Sequence, residues 1–257
     1  MTGDKLRHRY LAQELHEALR LVGVLVEEKA VVVRADEDLP ADDAAIINRH
    51  FAERDAVEQR LLGADIAWPE VNVRHVAHGE ANSLKTYEWV GALAPDIVVL
   101  YGTCIIKPPL LDTYGDRMVN MHLGLSPYYR GTGTNFWPLV NSEPECVGAT
   151  LHLAVAKVDA GPVLAQVRPD TAADDRAHDL GTKTIIAGAR RLPSVIRDLA
   201  AGRATLHTQD LSQGRLYRRR DFNAEAVRVL WRNLDAGMVA DYVCDKPTRD
   251  SGYPIVV

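Results

Sequence analysis

Leu6, Tyr10, Leu11, Leu15, Ala18 and Leu19 recur at helical spacing, and this apolar stripe predicts an amphipathic helix over 5–19. The short apolar run at 21–26 predicts a buried strand. A long charged stretch at 41–62 predicts a second helix, with Pro40 near its start and Gly63 after its end. Alternation over 71–76 predicts a strand, and Ser83 is placed to cap a helix running through Leu93. The run 96–101, almost wholly apolar, predicts a strand buried on both faces. Further strands are predicted at 117–122, 147–154 and 162–167, with a short helix at 134–140 among them. Helices alternating with short Val/Ile-rich strands predict an α/β fold built on a doubly wound, mostly parallel sheet.

The pattern changes after Asp170. A helical stretch at 174–200 is followed by a small β element at 205–218, turning at Gln213-Gly214. A helix at 222–235 has Asn223 as its cap, and the tail from Lys246 is rich in Pro, Gly and charge. A Rossmann-like domain at 1–170 and a small α+β extension at 171–257 are therefore expected, which suits 257 residues. One element does not fit. The first strand of a doubly wound sheet is central and needs about five apolar residues, yet only Met1 and Thr2 precede Gly3. The first strand is expected to be incomplete or missing. An upstream leader, another segment in the slot, or a stub at 1–3 paired at its carboxyl end would each resolve this, and the first is favoured.

Charge narrows the partners. Lys plus Arg number 30 and Asp plus Glu 35, a net charge of −5. No basic field gathers phosphates, so neither nucleic acid nor a membrane surface is an expected partner. Three cysteines without a CxxC point to a reducing, cytoplasmic setting, and no run of about 20 apolar residues occurs.

Candidate chemistry gathers at the predicted strand ends, where open α/β sheets bind ligands. Asn120 and His122 are two apart on one strand and share a face. His152 lies in the next long strand, and Asp159 sits in the turn Val158-Asp-Ala-Gly-Pro162. Singly, each has a structural reading: a satisfied strand histidine, a turn former, an asparagine tying down a loop. Together they form a set able to polarise a carbonyl and move a proton.

Asn120-Met-His122, Leu125-Ser-Pro-Tyr-Tyr-Arg-Gly131, Gly148-Ala-Thr-Leu-His152 and Val158-Asp-Ala-Gly-Pro162 occur in this order. They resemble the core signature of the folate-dependent formyltransferases, which include the glycinamide ribonucleotide, methionyl-tRNA and sugar-nucleotide enzymes. The resemblance covers 95–168 by motif and 1–94 only by strand order. It implies transfer of a formyl group from 10-formyltetrahydrofolate to the amine of a small molecule, an amino sugar nucleotide or a biosynthetic intermediate. Asn120 and His122 would donate to the oxygen of the tetrahedral species, and Asp159 would accept the amine's proton directly or through water. Asp159 would also favour the protonated form of His122. His152 would stand behind, orienting Asp159 or its loop.

The resemblance also implies a pterin slot lined by Leu100, Tyr101, Gly102, Cys104, Ile105 and Ile106, with Lys157 and Val158 closing over it. Leu100 reads equally as core, and Cys104 as packing. For the amine substrate, Gly3 and Lys5 open the first helix, an anion site that Asp4 opposes. Tyr129, Arg130 and Gly131 form a second candidate, with Arg130 as a phosphate or carboxylate clamp. Tyr128, Tyr129, Phe136 and Trp137 read as a stacking wall or as core. Glu27-Glu28-Lys29 reads as a ribose contact or as a solvated turn. No catalytic metal is expected, and a homodimer is compatible. The extension is expected to supply no catalytic residue. Glycinamide ribonucleotide formylation, or folate binding without turnover, stand as alternatives.

Overall fold

The computed structural model describes residues 1–28 and 39–257, so Lys29 of the Glu27-Glu28-Lys29 turn lies outside the described residues. In chain order the helices and strands are α1 (Leu6–Ala18), β1 (Gly23–Glu27), α2 (Ala41–Leu62), β2 (Asn72–Val76), α3 (Leu84–Leu93) and β3 (Val98–Leu100). Then come α4 (Leu110–Tyr114), β4 (Met118–His122), β5 (Tyr129–Gly131), α5 (Trp137–Val140), β6 (Ala149–Leu153) and β7 (Val163–Val167). The remainder is α6 (Ala177–Ala200), β8 (Arg215–Tyr217), α7 (Ala224–Asp235), α8 (Met238–Cys244) and α9 (Lys246–Ser251). Both predicted caps form: the Ser83 side chain accepts from the Thr86 N–H, and Asn223 from that of Ala226.

The α/β architecture is the one expected. β1 pairs with β2 and β3 with β4 in parallel, and β6 and β7 then add antiparallel beyond β4. Residues 1–3 join the two parts as a stub, the third of the expected resolutions. The Thr2 N–H donates to the Leu25 carbonyl and the Thr2 carbonyl accepts from the Glu27 N–H, both at 2.8 Å. On the other side the Met1 carbonyl accepts from Tyr101 at 3.1 Å, and the Gly3 N–H donates to the Tyr101 carbonyl at 3.3 Å.

Strand alternation assigns the two faces of the sheet. Val119 and Met121 of β4, with Leu151 and Leu153 of β6, are buried against α1 and α6 through Leu15, Ile185, Leu192 and Ile196. Each such aliphatic side chain contributes about 1.5–3 kcal/mol by burial. On the opposite face α3 and α4 cover the β1–β3 half, where Leu25, Val90, Val98, Leu100, Leu110 and Met118 form a second cluster. Asn120, His122, Thr150 and His152 take the alternate positions of β4 and β6. They therefore project on the face away from α6, beyond that second cluster. The β4–β6 register sets Asn120 opposite His152 and His122 opposite Thr150.

The part after Asp170 is woven into the rest. α6 lies in the core cluster of the sheet. α7 and α8 pack with α5 through Leu139, Leu230, Leu234 and Val239. β8 pairs with β5, and His207 bridges to Val163. Among the described residues no helix is long and apolar enough to cross a membrane.

Candidate active site

Asn120, His122, His152 and Asp159 come together. The Asn120 amide nitrogen is 3.0 Å from His152 Nε2. His152 Nδ1 is 2.9 Å from its neighbour Leu153's carbonyl oxygen, which can only accept, so Nδ1 carries the proton and Nε2 is left to accept from Asn120. That bond uses one of the two Asn120 amide hydrogens and leaves the second for another acceptor. Asp159 Oδ2 lies 3.4 Å from His122 Nδ1, and Oδ1 lies 3.6 Å from His152 Nε2.

The gathering point is the expected one for β3 and β4, with one difference at β6. His122 closes β4 and Asn120 pairs with Leu100 at the end of β3, so the group does lie at the carboxyl ends of these two strands, but it spreads onto the sheet face toward the antiparallel β6. The cause is the antiparallel β6. Its far end lies beside the start of β4, where the Ala154 N–H donates to the Met118 carbonyl. The 154–162 turn must fold back over the face to bring Asp159 to His122.

That turn is tightly specified. Asp159 has φ +48°, a left-handed conformation that Asp and Asn tolerate better than most residues. Gly161 passes so close to β6 that a Cβ there would stand 1.8 Å from the Leu153 oxygen. The Gly131 N–H donates to Asp159 Oδ2 at 2.9 Å. Gln209, from the extension, donates to the carbonyls of Asp159 (3.1 Å) and Gly161 (2.6 Å).

Electrostatics follow from burial and pairing. Burial pushes the Asp159 carboxyl up, but the nearby imidazoles of His122 and His152 and the Gly131 N–H outweigh it and bring it down to about 2. Asp159 is thus ionised at any ordinary pH. Asp159 does favour the protonated form of His122, as expected, but burial works against it. Burial lowers its pKa, and the attraction of Asp159 does not make up the loss, so the imidazole is neutral near pH 7. His122 Nε2 also faces the Tyr129 carbonyl at 3.2 Å.

The loop after His122 is held by a network the sequence reading did not single out. Thr150 Oγ1 donates to the Gly124 carbonyl at 2.7 Å and accepts from the Ser126 N–H at 2.9 Å. Gln166 donates to the Ser126 carbonyl at 2.6 Å and to Thr150 Oγ1 at 3.0 Å.

The predicted pterin segment divides. Ile105 is 56% exposed and Val158 39%, on loops from β3 and β6, the strands on either side of β4. Lys157 beside Val158 is also exposed. Leu100 and Ile106 are buried in the cluster under α3 and α4. Tyr101 is not a slot residue: its ring packs in the core edge-on to His8, and its N–H and carbonyl are taken by residues 1–3. Gly102, at φ +70°, leaves room for His8, whose Nε2 would be 2.7 Å from a Cβ there. Burial, with Glu27 beside it, pushes the Cys104 thiol up to about 12, which fits packing rather than nucleophilic chemistry.

Glu27 is no solvated turn residue. It is 2% exposed, and its carboxylate accepts from the N–H groups of Gly79 (2.8 Å) and Cys104 (2.6 Å). It thereby joins the loops after β2 and β3. Asn82 completes the tie, donating to the Ile105 carbonyl at 3.0 Å and accepting from the Lys107 N–H at 2.7 Å. Glu27→Gln replaces one carboxylate oxygen by a donor facing another donor. A loss of about 1–3 kcal/mol is expected, with faster amide exchange at Gly79 and Cys104, measurable by denaturant titration and by NMR.

On the amine side, the Lys5 N–H is used by His8 Nδ1 at 3.0 Å and the Gly3 N–H by Tyr101, so two donors of that loop are already bonded. The Tyr129 hydroxyl is spent as well, donating to Glu143 and accepting from Asn141 and Arg215. Its ring stacks on Tyr217, which stacks on Trp137 at 4.4 Å, giving an internal aromatic pile. Trp137 is 7% exposed and is core. Arg130 differs. It is 8% exposed, its Nε has no partner among the described residues, and its Nη2 reaches only the Leu211 carbonyl at 3.5 Å.

The formyl transferase family profile matches residues 12–196. The chain belongs to the formyl transferase family. It is 31% identical over 129 residues to phosphoribosylglycinamide formyltransferase of Escherichia coli, a match covering 50% of this chain and 60% of that one. It is 27% identical over 159 residues to methionyl-tRNA formyltransferase of Chlorobium chlorochromatii, covering 62% of this chain and 48% of that one. The chain thus spans about half to three fifths of the length of these curated relatives. The fold matches the N-formyltransferase of Helicobacter canadensis, solved with folinic acid and dTDP-3-aminofucose, at TM-score 0.54 and 17% identity, over 90% of this chain and 78% of that one.

Proposed function

We propose that the protein transfers a formyl group from 10-formyltetrahydrofolate to the amine of a small molecule that carries an anionic group. The observation that carries this reading is the grouping of Asn120, His122, His152 and Asp159 on one sheet face. The co-substrate supplies the formyl group. Ile105 and Val158, exposed and apolar on loops from the strands flanking β4, suit one wall and the lid of a slot for its flat ring. The Leu100 and Ile106 side chains act from behind, as packing.

The protein's own groups divide the work. The free Asn120 amide hydrogen takes up negative charge on the formyl oxygen. His122, once its Nε2 leaves the Tyr129 carbonyl, donates to the same oxygen. Asp159 is charged before the amine arrives, so it attracts the positive charge that grows on the attacking nitrogen. That nitrogen becomes far more acidic on attack, and this lets a carboxylate of low pKa accept its proton, directly or through water; the tetrahedral species then collapses with cleavage of the bond from the formyl carbon to the folate nitrogen, which takes up a proton through water as tetrahydrofolate leaves. His152 positions the Asn120 amide. All four lie within 1–170, and 171–257 serves as support, bracing the Asp159 turn through Gln209 and His207.

Arg130 points to the class of amine. A buried guanidinium with no carboxylate partner among the described residues suits a phosphate or carboxylate on the substrate. Amino sugar nucleotides carry such groups, and so does glycinamide ribonucleotide. The 31% identity to the E. coli enzyme favours the second as an alternative. Arg130→Gln is expected to raise KM for the amine at least about tenfold with kcat within about threefold, because the lost contact serves ground and transition states alike. The deciding experiment is an amine screen with 10-formyltetrahydrofolate, followed by release of tetrahydrofolate. Donor binding without release for any amine would leave a folate-binding module instead.

A further inference from the structure

Apart from the Asn120 group, polar side chains collect where the start of α1, the middle of α2 and the start of α6 meet. His50, Arg54 and Glu58 recur every fourth residue and so share one face of α2. Glu58 is 3% exposed and lies 3.0 Å from Arg7 Nε and 3.9 Å from Arg54 Nε. His178, in the first turn of α6, packs its ring 4.5 Å from that of His50. Half-buried phenylalanines edge the group: Phe51, Phe136 and Phe222 stand 5.4, 5.4 and 5.8 Å from His50. Ion pairs of Arg60 with Asp179 and of Arg228 with Asp43 fix α2 against α6 and α7. We infer that this cluster is a recognition site for ring hydroxyls, with His50, His178 and Arg54 bonding the hydroxyls of a carbohydrate ring whose C–H face lies on Phe136 and Phe222. On the formyl-transfer reading, that ring is the part of the amine substrate remote from its nitrogen.

Polar atoms are left over in this cluster. His50 is 5% exposed, and its Nδ1 is buried without a hydrogen-bond partner among the described residues. The His178 ring donates to the His50 backbone, so its Nε2, also buried and unpartnered, offers only a lone pair. Leaving such an atom unmatched costs about 1–3 kcal/mol. Two of them side by side, among phenylalanines that could have closed the space, point to a partner from outside the chain.

The partner's class follows by elimination. The charges cancel, with Arg7 and Arg54 set against Glu58 and Asp55, so neither a bare cation nor a bare anion meets a net field. An anion would also face two uncharged rings: burial, the neighbouring ring and Arg54 hold His50 at about 3, and burial and Arg54 hold His178 at about 4. A metal ion needs more than two imidazoles, and no group of three or more ligating side chains occurs among the described residues. An apolar group would leave both nitrogens unmatched. A hydroxyl donates and accepts, so it suits a nitrogen that only accepts beside a guanidinium that only donates. The C–H groups of the ring that carries it cover phenyl side chains well.

The cluster lies one loop away from His122. Phe136 follows Thr134, and a Cβ on Gly124 would stand 2.6 Å from Thr134 Cβ and 2.7 Å from His122 Nε2.

The test follows the ring nitrogens of the full chain by NMR with isotope-labelled histidine. The probes are glucosamine 6-phosphate and ribose 5-phosphate. O-phosphoethanolamine, with an amine and a phosphate but no ring hydroxyl, is the control. A sugar probe is expected to move the His50 and His178 signals, and the control to leave them in place. His50→Phe and His178→Phe are each expected to weaken sugar binding at least about tenfold. His50→Phe is at the same time expected to raise Tm by about 2 °C or more, because it removes a buried unpaired nitrogen and keeps a ring. A histidine held only for packing would show the reverse, a lower Tm with binding retained. That result, still signals with both sugars, or equal shifts with the control would each overturn the inference. Sugar binding without tetrahydrofolate release in the amine screen would uphold the site and remove the reaction.

Discussion

Asp159→Asn is expected to keep the fold and lower kcat by about a thousandfold or more. The fold survives because Asn tolerates the φ of +48° and its amide oxygen still accepts from Gly131. Turnover falls because the substitution removes the charge that meets the attacking nitrogen and the group that takes its proton. Both services belong to the transition state, so KM should move little. The acid side of stability gives a second readout. The folded pKa of about 2 lies below the ordinary value of 3.8, so the carboxylate stabilises the fold above about pH 4. That contribution is lost as pH falls through about 2. The stability advantage of the wild type over the variant should therefore be constant near neutrality and vanish in strong acid, as followed by urea titration at several pH values. Turnover like the wild type's would remove Asp159 from the mechanism.

Asn120→Ala is expected to cost about 10²–10³ in kcat, the usual loss when one preorganised donor to a developing oxyanion is removed. It also leaves His152 Nε2 buried without its donor, at about 1–3 kcal/mol of stability. The two effects separate through His152→Gln, which keeps Asn120 but loosens its orientation. Single-turnover rates should fall much further for Asn120→Ala than for His152→Gln. Equal losses would mean that the amide only positions its neighbours.

Much of this was legible in the chain because the signals were local. The stripe of α1, the alternation of β4 and the caps Ser83 and Asn223 each depend on neighbours a few residues apart. Asn120, His122 and Asp159 were found by motif order, and the structure does bring them together. What escaped depends on distant partners. β5 is three residues long and pairs with β8, far along the chain, so it has no periodicity of its own. The antiparallel course of β6 is set by tertiary pairing, and it extends the site from the ends of β3 and β4 onto the sheet face. Glu27 reads as a turn residue, and Gln209 carries no signal in the sequence, until the loops they hold are in place. Tyr101 and Tyr129 turn inward instead: the backbone N–H and carbonyl of Tyr101 and the hydroxyl of Tyr129 are bonded inside the fold.

The brace from Gln209 has a consequence for how the protein comes into being on the ribosome. Synthesis runs from the amino end, and domains fold as their segments emerge. When the chain has emerged through α6, the sheet and its covering helix are available, and Asn120 and His122 already have their neighbours. The turn bearing Asp159 still lacks the side chain that holds two of its carbonyls. β8 and its pairing with the segment at Arg130 come later again. A nascent chain halted near residue 200 would thus carry a formed scaffold with an untethered carboxylate, and catalytic competence would arrive among the last events of biogenesis.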